Sequence, residues 1–235
     1  GTGNNWLQVE VGSGGGGFTI ALKTDSTMWA WGDNQFGQLG DGTNTDKIIP
    51  TMVMTNITKI YAGYNHCLTI DNTGKLKTFG RNDYGQLGDG TNNDKNSPIQ
   101  IGLANNWENI SIGSYFSIAI KLDGTLWAWG NNNNGQLGDG TNTNRSVPTQ
   151  IGTETNWLDI TTGYLNTIAL KTDGSLWAWG YNEYGQLGNG TTENRYGPTL
   201  IPNIKGKNIS CGHYSTGIIT TDDQLYMFGY NYHGQ

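Results

Sequence analysis

Between residues 157 and 202 the chain alternates apolar and polar residues in short runs. "WLDITTG" sets Leu158 and Ile160 among polar neighbours, "NTIALKT" continues the pattern, and "SLWAWGY" interleaves Leu176 and Ala178 with Trp177 and Trp179. A period of two over five or six residues is that of a half-buried strand. Between the second and third runs stands Asp173-Gly174, a pair that supplies the positive φ angles of a two-residue hairpin turn. A glycine-rich loop follows, then "GPTLI", which reads as a short fourth strand with Pro198 at its start or on an edge.

This unit recurs. The glycine after the third strand falls at Gly32, Gly80, Gly130, Gly180 and Gly229, the GQ pair at 37, 85, 135, 185 and 234, and proline at Pro50, Pro98, Pro148 and Pro198. A period near ~49 residues fits either a propeller blade or a helical-pair repeat. The abundance of Gly, Asn and Thr excludes the helical pair. The sequence therefore predicts an all-β protein, a β-propeller of four-stranded antiparallel blades, with about 4.7 repeats of ~49 residues present. The repeats run approximately over 5–54, 55–104, 105–154, 155–203 and 204–235, the last incomplete.

Two aromatic positions repeat on one face of the third strand. The second reads Trp31, Phe79, Trp129, Trp179 and Phe228; the first reads Trp29, Lys77, Trp127, Trp177 and Tyr226. A lysine is intolerable in a dry core without a partner. The second position is thus expected to be the buried anchor between blades, and the first partly exposed, with Lys77 in solvent. The opposite face carries Ala30, Thr78, Ala128, Ala178 and Met227, small enough in most repeats for a neighbouring blade to approach. "GQLG" is expected to pack a leucine between two tightly turning glycines. The asparagine before it (Asn34, Asn82, Asn132, Asn182, Asn231) is expected to cap a turn.

Composition narrows the function. The 235 residues are 34% hydrophobic and 14% charged, with 37 glycines and a net charge of −6. Nucleic-acid binding needs clustered Lys and Arg, and only 13 are present, in no run. Nucleic acid and an anionic membrane surface are both disfavoured. No stretch approaches the ~20 apolar residues of a spanning helix. Cys67 and Cys211 occupy non-equivalent places in distant repeats and read as two buried thiols, a disulfide being possible but not indicated.

The run "WGxNxxGQLGxGT", with "GxxxxIAL" upstream and proline downstream, resembles the regulator of chromosome condensation repeat family. The resemblance covers essentially the whole chain: four repeats match fully and the fifth in part. It implies a propeller usually of seven blades. The founding eukaryotic member exchanges nucleotide on a small GTPase and docks on nucleosomes, but this chain has no match to its basic chromatin contacts. The acidic, Asn/Thr/Gly-rich style is more similar to bacterial, secreted or surface members. Among these, the β-lactamase inhibitor proteins of this fold bind a protein partner with loops on one face. The family often carries histidine at the position held here by Phe18, His66, Phe116, Asn166 and Ser215.

Recognised chemistry is scarce. There is no P-loop, HExxH, GxSxG or paired-cysteine zinc pattern. His66 and His213 would need the repeat geometry to bring them together at a central channel before they could share a metal. The loops "DGTNTD", "DGTNND" and "DGTNTN" have an oxygen-rich, calcium-loop flavour. They lack the alternation and the closing bidentate Glu, and Asx-turns account for them. No cofactor, metal or catalytic residue is expected.

What varies is as informative as what is fixed. After "WG" stand Asp33, Arg81, Asn131, Tyr181 and Tyr230. Before "GQ" stand Phe36, Tyr84, Asn134, Tyr184, and Tyr232 with His233. Between the first two strands stand Tyr64, Tyr115, Tyr164 and Tyr214. These positions belong to loops at one end of each blade, and tyrosine is a favoured contact residue. The expected reading is a non-enzymatic scaffold, extracellular or on the cell surface, that binds a protein or glycan. The residues expected to carry it are Phe36, Tyr64, Arg81, Tyr84, Tyr115, Tyr164, Tyr181, Tyr184, Tyr214, Tyr230 and Tyr232. The alternatives are a structural segment of a surface protein or assembly without a discrete ligand, and a guanine-nucleotide-exchange-like regulator. Five repeats cannot close a ring by sharing a strand, because only five residues precede Trp6. The chain is therefore expected to be part of a longer protein, or to self-associate through open ends.

Overall fold

The structure, a computed structural model, describes residues 5–234. Of the five residues that precede Trp6, the first four lie outside that range, as does Gln235.

Strands β1 (Trp6–Gly12), β2 (Phe18–Lys23), β3 (Met28–Gly32) and β4 (Lys47–Met54) form the first antiparallel sheet, in sequence order. Strands β5 (Ile57–Ala62) to β8 (Lys95–Gln100) form the second, and β9 (Trp107–Ile112) to β12 (Arg145–Ile151) the third. The fourth comprises β13 (Trp157–Thr162), β14 (Asn166–Lys171), β15 (Ser175–Gly180) and the long β16 (Arg195–Cys211). β16 pairs with β15 up to Lys205, then from Gly206 with β17 (Ser215–Thr220), which pairs in turn with β18 (Leu225–Gly229). One strand thus ends the fourth blade and opens the fifth. The proline-bearing strands are longer than the five residues expected, but lie on the outer edge, where a missing N–H costs no ladder bond.

The hairpin at Asp173-Gly174 differs from expectation. Only Gly174 has a positive φ, 79°, and its N–H donates to Lys171 O, closing a turn of one more residue. Asp173 instead accepts from the backbone and hydroxyl of Ser175.

The core lies between blades. Phe18, Ile20 and Met28 of blade one pack with Ile57, Ile60 and Phe79 of blade two; Leu68 and Leu76 pack with Trp107 and Trp129; Phe116 and Leu126 pack with Trp157 and Trp179. Phe79, Trp129 and Trp179 are fully buried, as the alternation requires. Trp129 Nε1 donates to Gln86 O and Trp179 Nε1 to Gln136 O, each at 2.9 Å, across to the preceding blade. A Cβ on Gly40, Gly88, Gly138 or Gly188 would sit between 2.6 and 2.9 Å from the next blade's Phe79, Trp129, Trp179 or Phe228. These glycines also hold positive φ. The last glycine of "GQLG" is therefore fixed twice, by its own backbone and by the neighbour's ring.

Lys77 is half-buried rather than exposed. Its stem takes the slot of a tryptophan and its ammonium lies 3.7 Å from Asp71. Cys67 and Cys211 are free thiols, the first buried and the second half-buried.

Candidate functional site

The variable residues are presented by two kinds of tight turn. Gly63 N donates to His66 O, Gly113 N to Phe116 O, Gly163 N to Asn166 O and Gly212 N to Ser215 O. Each turn lifts its two central residues to the tip. The second kind closes at Gly85 N→Asn82 O and its equivalents. Arg81 N donates to Asn65 O and Tyr181 N to Leu165 O, locking the two turns of a blade side by side.

The asparagine beneath does more than cap a turn. Asn82 Oδ1 accepts from Leu87 N, while Nδ2 donates to Asp89 Oδ1 and to the carbonyls of Thr91 and Asn93. Asn34, Asn132 and Asn182 repeat the arrangement. The loop carboxylates are committed as well. Asp41 accepts from the backbone and hydroxyl of Thr43 and pairs with Lys47 at 2.9 Å. Burial pushes its pKa up, but the bonds from Lys47 and Thr43 outweigh that and hold it below the usual carboxylate value. Among the described residues no three His, Cys, Asp or Glu gather as a metal site.

On this base the structure brings the expected residues together. Tyr115 has its ring centroid 5.4 Å from Tyr64 and 5.3 Å from Tyr84. The Arg81 guanidinium, paired with Asp83, lies 4.7 Å from the Phe36 ring and 5.5 Å from that of Tyr115. Two blades on, Tyr214 lies 5.7 Å from Tyr164 and 5.2 Å from Tyr184. Tyr181, standing where Arg81 stands, is 6.0 Å from Tyr214 and bonds to Glu183, as Arg81 does to Asp83. Tyr64, Tyr84 and Tyr115 are therefore reproduced by Tyr164, Tyr184 and Tyr214. Between them, at the junction of blades three and four, the same positions hold Ser114, Asn134 and Leu165. Tyr184 touches Tyr230, and Tyr230 touches Tyr232, extending the second cluster.

Burial pushes the Tyr115 and Tyr214 phenols up, with neighbouring tyrosines adding to it, so both stay protonated donors at neutral pH. The hydrogen bond to Glu183 raises Tyr181 further. The glutamine of each GQ pair from Gln38 to Gln186 is fully buried. Gln38 and Gln136 donate their amides to Asp33 and Asn131. In the blades where Arg81 and Tyr181 hold the position of those acceptors, the Nε2 atoms of Gln86 and Gln186 are buried without a partner.

One neighbour was absent from the expected set. His213 stacks on Tyr164 at 4.1 Å and lines a cavity of about 300 Å³ at the mouth between the innermost strands, with Tyr64 and Tyr164. Its place in the repeat, equivalent to Tyr64 and Tyr164, was the available signal. His66 is not part of that cavity. It is fully buried, 3.3 Å from Ser117 Oγ.

The chain matches the RCC1-like domain over residues 13–235. It belongs to the RCC1-like domain family. Within this family it is similar to the ultraviolet-B receptor UVR8 of Arabidopsis thaliana, 36% identical over 62 residues that make up 25% of this chain and 14% of that one. Human WBSCR16 superposes with a TM-score of 0.84 at 24% identity, over 97% of this chain and 63% of the other. Yeast RCC1 (Prp20), in complex with Kap60, gives 0.80 at 22%, over 95% and 56%. The chain thus spans a small part of the curated relative and less than two thirds of the solved ones. The structural likeness shows the fold, a β-propeller of RCC1-type blades.

Proposed function

We propose that this RCC1-like domain is a non-enzymatic scaffold that binds a protein partner through the tyrosine-bearing face, the partner engaging both tyrosine triads at once. The observation that carries the reading is the duplication of the triad two blades apart while the junction between them lacks it. A structural covering of blade edges would be needed equally at every junction. Tyrosine provides broad contact with little side-chain entropy to lose, and its hydroxyl supplies a directed hydrogen bond. The unpartnered amides of Gln86 and Gln186, in the blades that carry Arg81 and Tyr181, mark the places where the blade's own bonding has been given up. Yeast RCC1 was solved bound to Kap60, and its binding to Gsp1p and histones has been examined, so a protein with this fold does bind protein partners. An extracellular or cell-surface setting suits the acidic, Asn- and Gly-rich composition, and there a glycan is the competing ligand.

Two triads joined rigidly act as a bivalent site, in which the second contact forms at high effective concentration. A partner captured by crosslinking to the native chain should be retained weakly by Tyr84→Ala or Tyr184→Ala and lost, by about a hundredfold or more, in the double variant. The melting temperatures should be close to that of the native chain. Undiminished capture of the same partner by the double variant would refute the assignment.

A further inference from the structure

A second feature, sharing no residue with the tyrosine face, recurs at the start of blades. A lysine at the end of the second strand lies over two tryptophans: Lys121 over Trp107 and Trp127 at 4.8 and 3.6 Å, and Lys171 over Trp157 and Trp177 at 4.5 and 4.2 Å. The boxes of blades three and four differ in one respect. In blade four Glu154, on the segment entering the blade, reaches Lys171 Nζ at 2.7 Å and the lysine is almost fully buried. In blade three the equivalent position, three residues before the tryptophan, is Ala104. The Lys121 ammonium has no hydrogen bond or ion pair among the described residues, and only Asp123 favours its charge from a distance. Blade two has no such box: Asp71 stands at the lysine position and pairs with Lys77, which stands at a tryptophan position. In blade one Lys23 lies over Trp6 and Trp29 in the same way, at 4.9 and 4.2 Å, and the residue three before Trp6 lies outside the described residues.

Where the Glu154 carboxylate would sit, blade three has space. A cavity of about 400 Å³ is lined by Lys121, Trp107, Trp127, Ala104, Leu103 and Pro148. Asp89, at its wall, is already paired with Lys95 at 3.3 Å. The walls are mostly hydrocarbon and aromatic, and burial depresses the Lys121 pKa, so the ammonium sits there at a cost that a partner anion would relieve. Stacking on indole offsets part of that cost but gives no directed bond to the N–H groups.

We propose that the cavity beside Lys121 binds a carboxylate carried on an apolar body, its oxygen seated on Lys121 as that of Glu154 is seated on Lys171. The chain's own repeat is the template for both the cation and the anion. The shared chemistry has two sources, a free amphipathic monocarboxylic acid or a glutamate side chain borne by another protein, and the probes distinguish them.

The test uses the full chain and tryptophan fluorescence or calorimetry, with phenylacetate, its neutral analogue phenylacetamide, and the capped peptide acetyl-Thr-Glu-Thr-amide, which copies residues 153–155. Phenylacetate is expected to bind at least about tenfold more tightly than phenylacetamide. Lys121→Met should remove that preference, while Lys171→Met, at the box already filled, should leave it intact. Ala104→Glu should abolish binding and raise the melting temperature, because it supplies the missing carboxylate internally; a folded, stabilised variant excludes collapse as the cause. Binding of phenylacetate but not the peptide supports a free acid as ligand, and the reverse supports a protein-borne glutamate. The proposal is overturned if neither binds below about 10 mM, if acid and amide bind alike, or if Ala104→Glu binds as the native chain does.

Discussion

At the scale of single residues, the repeat makes each blade a control for the others. Trp129 is fully buried, bonds to Gln86 O and presses on Gly88. Trp129→Ala should cost roughly 3–5 kcal/mol in a denaturant titration, the range for a large core aromatic. A loss below about 1 kcal/mol would mean that the ring does not hold the blades together. His66 makes the opposite kind of test. Burial lowers its pKa from 6.5 to about 3, and its Nδ1 has no partner. The unfolded chain takes up a proton near 6.5 while the folded chain does not. The full contribution is thus present above that value and is lost as pH falls toward 3. The equivalent positions in blades one and three are Phe18 and Phe116, both buried. His66→Phe should therefore fold and should flatten the fall in stability between neutral pH and about pH 4.5. Below that the loop carboxylates Asp41, Asp89 and Asp139, whose pKa values are lowered, dominate the acid response. An unchanged slope in the variant would show that His66 is not the titrating group. The burial of these positions was legible in the sequence because a period of two leaves only two faces to assign. Lys77 was misjudged because its partner, Asp71, belongs to the neighbouring strand rather than to its own.

At the scale of the loop and strand, one repeat departs from its siblings in a way that predicts a gain. In blade three Asp139 accepts from Arg145 Nε at 2.7 Å and from Thr141. In blade four the corresponding residue is Asn189. Arg195 turns to Glu193 at 3.5 Å, its Nε is left buried without a partner, and so is the Asn189 Nδ2. Asn189→Asp restores the acceptor and satisfies Arg195. It should stabilise the domain by about 1 kcal/mol, as charge-assisted bonds of partly buried groups do. A measured loss would mean that Arg195 does not swing back. The glycine and asparagine words of this loop were visible in the sequence, but their meaning was only half legible. Asn82 reads as a local cap, yet it reaches carbonyls as far along as Asn93, a geometry that spacing alone does not reveal. The tyrosines were legible as loop residues at one end of the blade because all occupy equivalent positions. That Tyr64 and Tyr84 of one blade meet Tyr115 of the next is a contact between blades, which no single repeat contains. The lysine–tryptophan boxes were missed for the same reason: Lys121 reads as the ordinary polar end of a strand until its two tryptophans and the absent Glu154 equivalent are seen together.

At the scale of the whole molecule, the interface that builds the core is used at every internal junction and is left half-made at the two outer blades. Trp6 is 38% exposed where its equivalent Trp157 is 3% exposed, and Val9, equivalent to the buried Ile160, stands in solvent. At the other end Met227 is 52% exposed where Ala178 is fully buried, and Leu225 is exposed where Leu176 is not. Apolar surface of this kind favours association. The two faces are not alike: one is the leading side of a blade and the other the trailing side, so they complement each other as adjacent blades do. A contact between them would be heterologous, head to tail, and would not close by two-fold symmetry. Light scattering on the 235-residue chain should therefore show mass rising with concentration over roughly 1–100 μM. Val9→Lys blocks one end and Met227→Lys the other, and each alone should be monomeric, since every contact needs one face of each kind. Mixed, the two variants should form a one-to-one dimer through the ends that remain intact. If Val9→Lys alone still dimerised, the contact would join like faces and the head-to-tail argument would fall; if the native chain stayed monomeric throughout, the exposed faces would not be an interface at all.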